Sequence, residues 1–144
     1  MSEGPYQPAV LVVDDSIVVR KILVMTLHQT PEFADATVEE AGNGAIALKM
    51  LATKTYDLVI SDIRMPFIDG LEMVRRVRQE MRDRATPIVL VSTLGTEADV
   101  KNGLAVGATA YVIKPLSPHA IKLALRKIMD TTPEIFPRLN LHRA

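Results

Sequence analysis

The 144-residue chain contains no cysteine, which excludes a disulfide framework and a thiolate metal site. It has no tryptophan, and only 4% of its residues are aromatic, too few for the platforms on which bases or sugars stack. Excess charge is missing as well: 17 basic residues against 17 acidic ones give a formal net charge of zero. Without a broad basic footprint, direct nucleic-acid binding is not expected. No apolar run approaches the roughly 20 residues of a membrane span, and the N-terminus lacks the charged and apolar segments of a signal peptide. These absences place the protein in the cytoplasm, without membrane insertion. There is no glycine-rich phosphate loop either. The "GNG" of residues 42–44 lacks the third glycine of a dinucleotide loop and follows a polar strand, so it reads as a turn and helix start. His28, His119 and His142 have no ligand spacing and read as surface residues.

What is present is an alternation. A hydrophobic content of 48% in 144 residues is enough for one core without disulfides. "AVLVV" (9–13), "ATVEE" (36–40), "DLVIS" (57–61), "PIVLV" (87–91) and "AYVIK" (110–114) are short and mostly aliphatic, and helix-length segments separate them. Strands alternating with helices imply right-handed crossovers and a doubly wound parallel sheet covered on both faces. The polar "ATVEE" suits an edge. Asn43, Thr96 with Asp99, and Ser117 followed by Pro118 supply helix starts. In the last helix Ile121, Ala124, Leu125, Ile128 and Met129 form one stripe toward the sheet, leaving Leu123 off it. The expected organisation is a leader over 1–8, one α/β domain over 9–130 and a tail over 131–144.

Ligands of such sheets bind beyond the carboxyl ends of the strands, so the residues on which strands end carry the function. The first strand ends on Asp14 and Asp15, the third on Asp62, the fourth on Ser92 and the fifth on Lys114. Three carboxylates and one ammonium leave about two negative charges, which one Mg²⁺ would balance with hard oxygen ligands. Asp62 can also serve as a nucleophile toward phosphorus if the phosphoryl oxygens are neutralised, with Lys114 and the Ser92 hydroxyl available for that task. Helix capping by Asp15 or Ser16 is the competing reading of "DDS", but it accounts for only one of the two aspartates.

The set resembles the receiver domain of two-component response regulators, of the chemotaxis-regulator type. The likeness runs from about Ala9 to Met129. It rests on the acidic pair, "D-x-x-M-P…D-G" at Asp62, Met65, Pro66, Asp69 and Gly70, Ser92, "GA" at Gly107 and Ala108, and "KP" at Lys114 and Pro115. The resemblance implies a five-stranded sheet in the order 2-1-3-4-5 with five helices, a flavodoxin-like receiver fold. It implies Asp62 as phospho-acceptor and Mg²⁺ held by Asp14, Asp15, Asp62 and the Arg64 carbonyl. Lys114 would pair with the phosphoryl group, Ser92 and Tyr111 would form the switch, and the Lys114–Pro115 bond would be cis. The donor would be a histidine kinase or phosphotransfer protein. The output would be a target protein binding the face made by the fourth helix, fifth strand and last helix, with Leu123, Lys122 and Arg126 as candidate contacts. Tyr111 as a packed strand residue and Leu123 as an isolated surface leucine are the alternatives.

On this reading the protein is a switch that catalyses only its own phosphorylation and dephosphorylation. The Met1 start and short tail favour a stand-alone regulator over the receiver of a longer one. An aspartyl-nucleophile phosphatase would need a second aspartate where Arg64 stands, and a flavodoxin-like flavin binder would need a hydroxyl-rich phosphate loop and flanking aromatics. Arg64 and the serine at 92 are expected to alter the lifetime of the phosphate.

Overall fold

Val10, Leu11, Val12 and Val13 are all fully buried, because alternate side chains of this strand enter different cores. The computed structural model describes residues 7–131. Five parallel strands, β1 (Ala9–Val13), β2 (Thr37–Ala41), β3 (Leu58–Asp62), β4 (Ile88–Ser92) and β5 (Ala110–Ile113), form one sheet in the order β2-β1-β3-β4-β5. The helices are α1 (Ile17–His28), α2 (Gly44–Thr53), α3 (Gly70–Gln79), α4 (Glu97–Ala105) and α5 (Pro118–Thr131), with a short 3₁₀ turn at Pro31–Phe33.

On one face Val10, Val12, Leu58, Ile60, Val89 and Val91 pack with Leu23 and Leu27 of α1 and Ile121, Ala124, Leu125 and Ile128 of α5. On the other, Leu11, Val13, Val59, Ile88 and Leu90 meet Ala47 of α2 and Met73, Val74 and Val77 of α3. A fully buried aliphatic side chain contributes about 1.5–3 kcal/mol, so a strand feeding both cores needs the unbroken apolar run that the sequence displays. The polar β2 lies at an edge, as expected.

The caps are in place. Asn43 Oδ1 accepts from the Ile46 amide at 2.8 Å, Thr96 and Asp99 form a reciprocal capping box, and Ser117 Oγ accepts from Ala120 at 3.1 Å. The strands start and end within a residue of the expected positions. α5 continues through Thr131, one residue past the expected boundary. Residues 1–6 and 132–144, with His142 and most of the leader and tail, lie outside the described residues, as does the Met129 side chain. His28 and His119 are exposed, and the Lys114–Pro115 bond is cis. No described helix is long and apolar enough to cross a membrane.

Candidate functional site

Placing β1 between β2 and β3 makes consecutive connections leave the sheet in opposite directions, and a crevice opens at the carboxyl edge beside β1 and β3. Into it the chain delivers Asp14 and Asp15 just after β1, Asp62 as the last residue of β3, and Lys114 just after β5. One carboxylate oxygen from each of Asp14, Asp15 and Asp62 lies within 4.8 Å of the others. Lys114 Nζ stands 3.5 Å from Asp62 Oδ2 and 3.7 Å from Asp14 Oδ2. Those separations exceed a hydrogen bond, so the ammonium acts as a nearby charge. Gly70 makes the close fit possible: a β-carbon there would lie 2.3 Å from the Asp62 carbonyl oxygen, so α3 can begin directly beneath the end of β3.

Each aspartate has a different environment. Asp14 is 1% exposed; its Oδ1 accepts from the Ser16 amide at 2.9 Å, while Oδ2 is buried with no hydrogen-bond partner. Burial raises its pKa above the ordinary carboxylate value, against the lowering pull of the Ser16 amide; Asp62 raises it further, Lys114 opposes, and Asp15 adds a last upward push. Asp62 Oδ1 accepts from the Ile63 amide at 2.8 Å. Asp15 is exposed on the rim of a pocket of about 440 Å³ lined also by Ile63, Arg64, Met65, Pro66 and Asp69. The capping question is resolved by Ser16, whose Oγ accepts from Val19 at 3.2 Å; neither Asp14 nor Asp15 caps α1. An orphaned, buried carboxylate oxygen among three carboxylates is the donor set of a hard cation, and this cluster can hold a metal ion.

Ser92 is buried at the end of β4, and its hydroxyl accepts from the Leu94 amide at 3.0 Å. The hydroxyl proton is thereby left to be donated elsewhere. Tyr111 is half-buried on β5, and its hydroxyl donates to the Leu94 carbonyl. The two residues therefore grip the same loop residue from its amide and its carbonyl. Gly103 completes the seat. A β-carbon at 103 would lie 2.8 Å from Tyr111 Cδ2, so α4 accepts the ring only where it has no side chain.

Residues 10–126 match the family model of the response regulator receiver domain. The chain belongs to the response regulator receiver family. This receiver domain is 37% identical over 123 residues to a chemotaxis protein CheY homolog of Campylobacter jejuni, covering 84% of this chain and 92% of that protein. It is 34% identical over 120 residues to the transcriptional regulatory protein ResD of Bacillus subtilis, covering 83% of this chain but only 47% of ResD. It thus spans about half of one relative and nearly all of the other. The solved structure of chemotaxis response regulator CheY4 of Vibrio cholerae has the same architecture, with a TM-score of 0.74 and 34% identity over 85% of this chain and 98% of that one. Receiver domains are signalling switches of two-component systems.

Of the remaining candidates, Leu123 is 52% exposed on α5, and Lys122 and Arg126 are exposed beside it. They stand apart from the acidic cluster on a different element. Three features of the receiver's site escaped the residue pattern. Leu94 acts through its main chain and leaves no mark in residue type. Gly103 could have been found, because glycine inside a helix costs about 1 kcal/mol relative to alanine and so signals a close approach. Phe67 is 91% exposed at φ 69° in the loop after Asp62, and nothing in "MPFIDG" announces it.

Proposed function

We propose that the protein takes a phosphoryl group on Asp62 from a histidine kinase or phosphotransfer protein, in a Mg²⁺-dependent reaction, and that phosphorylation changes a protein-binding face. The observation carrying this reading is Asp14 Oδ2, buried without a hydrogen-bond partner in a three-carboxylate cluster that faces the Lys114 ammonium. Asp14, Asp15, Asp62 and the Arg64 carbonyl would hold the ion, which when bound would supply positive charge against that of the carboxylates and the incoming phosphoryl group.

In the transfer, Asp62 Oδ2 attacks phosphorus, the bond to the donor imidazole breaks, and the nitrogen takes up a proton as the imidazole leaves. Lys114, 3.5 Å from that oxygen, offsets the charge brought in by the phosphoryl group. Ser92 turns its free hydroxyl proton to a phosphoryl oxygen, which pulls on Leu94 and through it on Tyr111. The displaced element is α4, and the output face runs over α4, β5 and α5, including Leu123, Lys122 and Arg126.

Exposed Ile17, Val18, Ile22 and Met25 give α1 an apolar outer face. A groove of about 340 Å³ between α1 and Lys114–Leu116 joins this face to the site, since Lys114 borders both. That continuity supports α1 as the surface on which the donor protein sits. The protein catalyses only its own phosphorylation and dephosphorylation. A single-domain regulator, like the chemotaxis-type relative matched over 92% of its length, and the receiver of a longer regulator, like ResD, matched over 47% of its length, are the two readings of how the switch is used.

Beryllofluoride, which mimics a phosphoryl group on aspartate, tests the site. With Mg²⁺ it should raise the melting temperature of the wild type and leave Asp62→Asn unchanged. Equal stabilisation of both proteins would refute the assignment.

A further inference from the structure

Two charged residues outside the acidic cluster are built into its support. Arg20 stands one turn into α1, four residues after the cap Ser16, and its side chain is 14% exposed. Its Nε donates to Glu40 Oε1 at 3.0 Å and its Nη1 to the main-chain carbonyl of Asp14 at 2.6 Å. Glu40, on β2, is held on its other oxygen by Lys21 at 2.9 Å, so consecutive residues of α1 grip one carboxylate of the edge strand. The Asp14 amide in turn donates to the Ala41 carbonyl at 3.1 Å. Both peptide planes flanking Asp14 are therefore pinned, one by the sheet and one by Arg20. The second plane leads directly into Asp15, whose exposed side chain has no burial to fix its direction.

We propose that Arg20, oriented by Glu40, is a positioning residue of the acidic site. Its guanidinium holds the Asp14 carbonyl so that the carboxylates of Asp14 and Asp15 meet Asp62 around one cation. This inference rests on the magnesium reading above. A guanidinium so placed acts on a divalent ion in two opposite ways. Through space it repels the ion; through the backbone it prearranges the ligands. The sign of the effect on removal tells which prevails, because loss of repulsion tightens binding and loss of positioning weakens it.

The test is Mg²⁺ and Mn²⁺ binding to the full chain, followed by calorimetry and by the electron paramagnetic resonance of Mn²⁺. Arg20→Met keeps most of the apolar stem and removes both charge and hydrogen bonds. It should weaken binding by about tenfold, the low end for residues that orient metal ligands. Arg20→Lys keeps the charge but not the planar fork that serves two acceptors at once, and it should weaken binding in the same direction. In labelling by acetyl phosphate, the Mg²⁺ concentration for half-maximal rate should rise in both variants while the rate at saturating Mg²⁺ stays near that of the wild type. Thermal unfolding monitors the fold, and Arg20→Lys supplies the answer if Arg20→Met fails to fold. Unchanged or tighter ion binding in the folded variants would overturn the role of Arg20 alone. Absence of Mg²⁺ and Mn²⁺ binding to the wild type would overturn it together with the magnesium reading.

Discussion

At the scale of single residues, Asp14 sets fold against chemistry. Burial leads in holding its carboxyl above the ordinary range, with the Ser16 amide the main opposing influence. A carboxyl whose folded pKa is raised binds its proton more tightly in the folded state. It therefore lowers stability at neutral pH, and the loss is relieved as the pH falls through the raised value toward the ordinary one near 3.8. Asp14→Asn keeps an acceptor for the Ser16 amide and removes the buried charge. It should melt a few degrees higher than the wild type at neutral pH, and Mg²⁺ should stabilise the wild type but not the variant, both read from thermal unfolding with and without the ion. Phe67 shows the same conflict in the backbone. It occupies the centre of a tight turn closed by the Ile68 amide on the Pro66 carbonyl at 2.9 Å, at φ 69°, a strained γ-turn for a side chain of this size. A non-glycine residue held in such a sparsely populated region costs about 1–3 kcal/mol, glycine enters it without a β-carbon to clash, and a ring that is 91% exposed gives up no burial. Phe67→Gly should accordingly gain about 1 kcal/mol in urea denaturation, the strain relieved exceeding the greater chain entropy of glycine. The paired aspartates were legible as a candidate cation site, and the structure gathers them with Asp62. Phe67 was not, because its conformation is imposed by the loop closing onto α3 rather than by its own preference.

At the scale of elements, α4 and β5 are joined by one slot. The Tyr111 ring fits against Gly103, and its hydroxyl reaches the Leu94 carbonyl in the loop before α4. Gly103→Ala gains helix propensity of about 1 kcal/mol but forces a contact of the kind that costs 1–3 kcal/mol when overpacked. A net loss of about 1 kcal/mol is expected, with Tyr111 turned out of its seat. Loss of the Tyr111–Leu94 contact in a structure of the variant checks this; an unmoved ring would remove Gly103 from the switch. The caps of α2, α4 and α5 were legible because Asn43, Thr96, Asp99 and Ser117 bond within their own turn. The Tyr111 seat was only half legible, since a helix-interior glycine marks a close approach but not what approaches.

For the whole molecule, topology followed from pattern. A strand with consecutive apolar residues must serve two cores, and the apolar runs of β1, β3 and β4 do so, while polar β2 falls at the edge. The carboxyl-edge site followed as well, since three of the five strands run directly into its aspartates and lysine. What stayed hidden runs through main-chain atoms: the Arg20 bond to the Asp14 carbonyl and the two grips on Leu94. Residue type does not report a carbonyl oxygen, so only the folded chain could reveal them.

The proposed function stands or falls on the transfer of a phosphoryl group to Asp62. Intact-mass measurement after incubation with acetyl phosphate and Mg²⁺ tests it most directly. The wild type should gain one phosphoryl group, about 80 Da, and should gain none when Mg²⁺ is chelated or when Asp62 is replaced by asparagine. Labelling of the Asp62→Asn variant to the same extent as the wild type would rule out Asp62 as the acceptor.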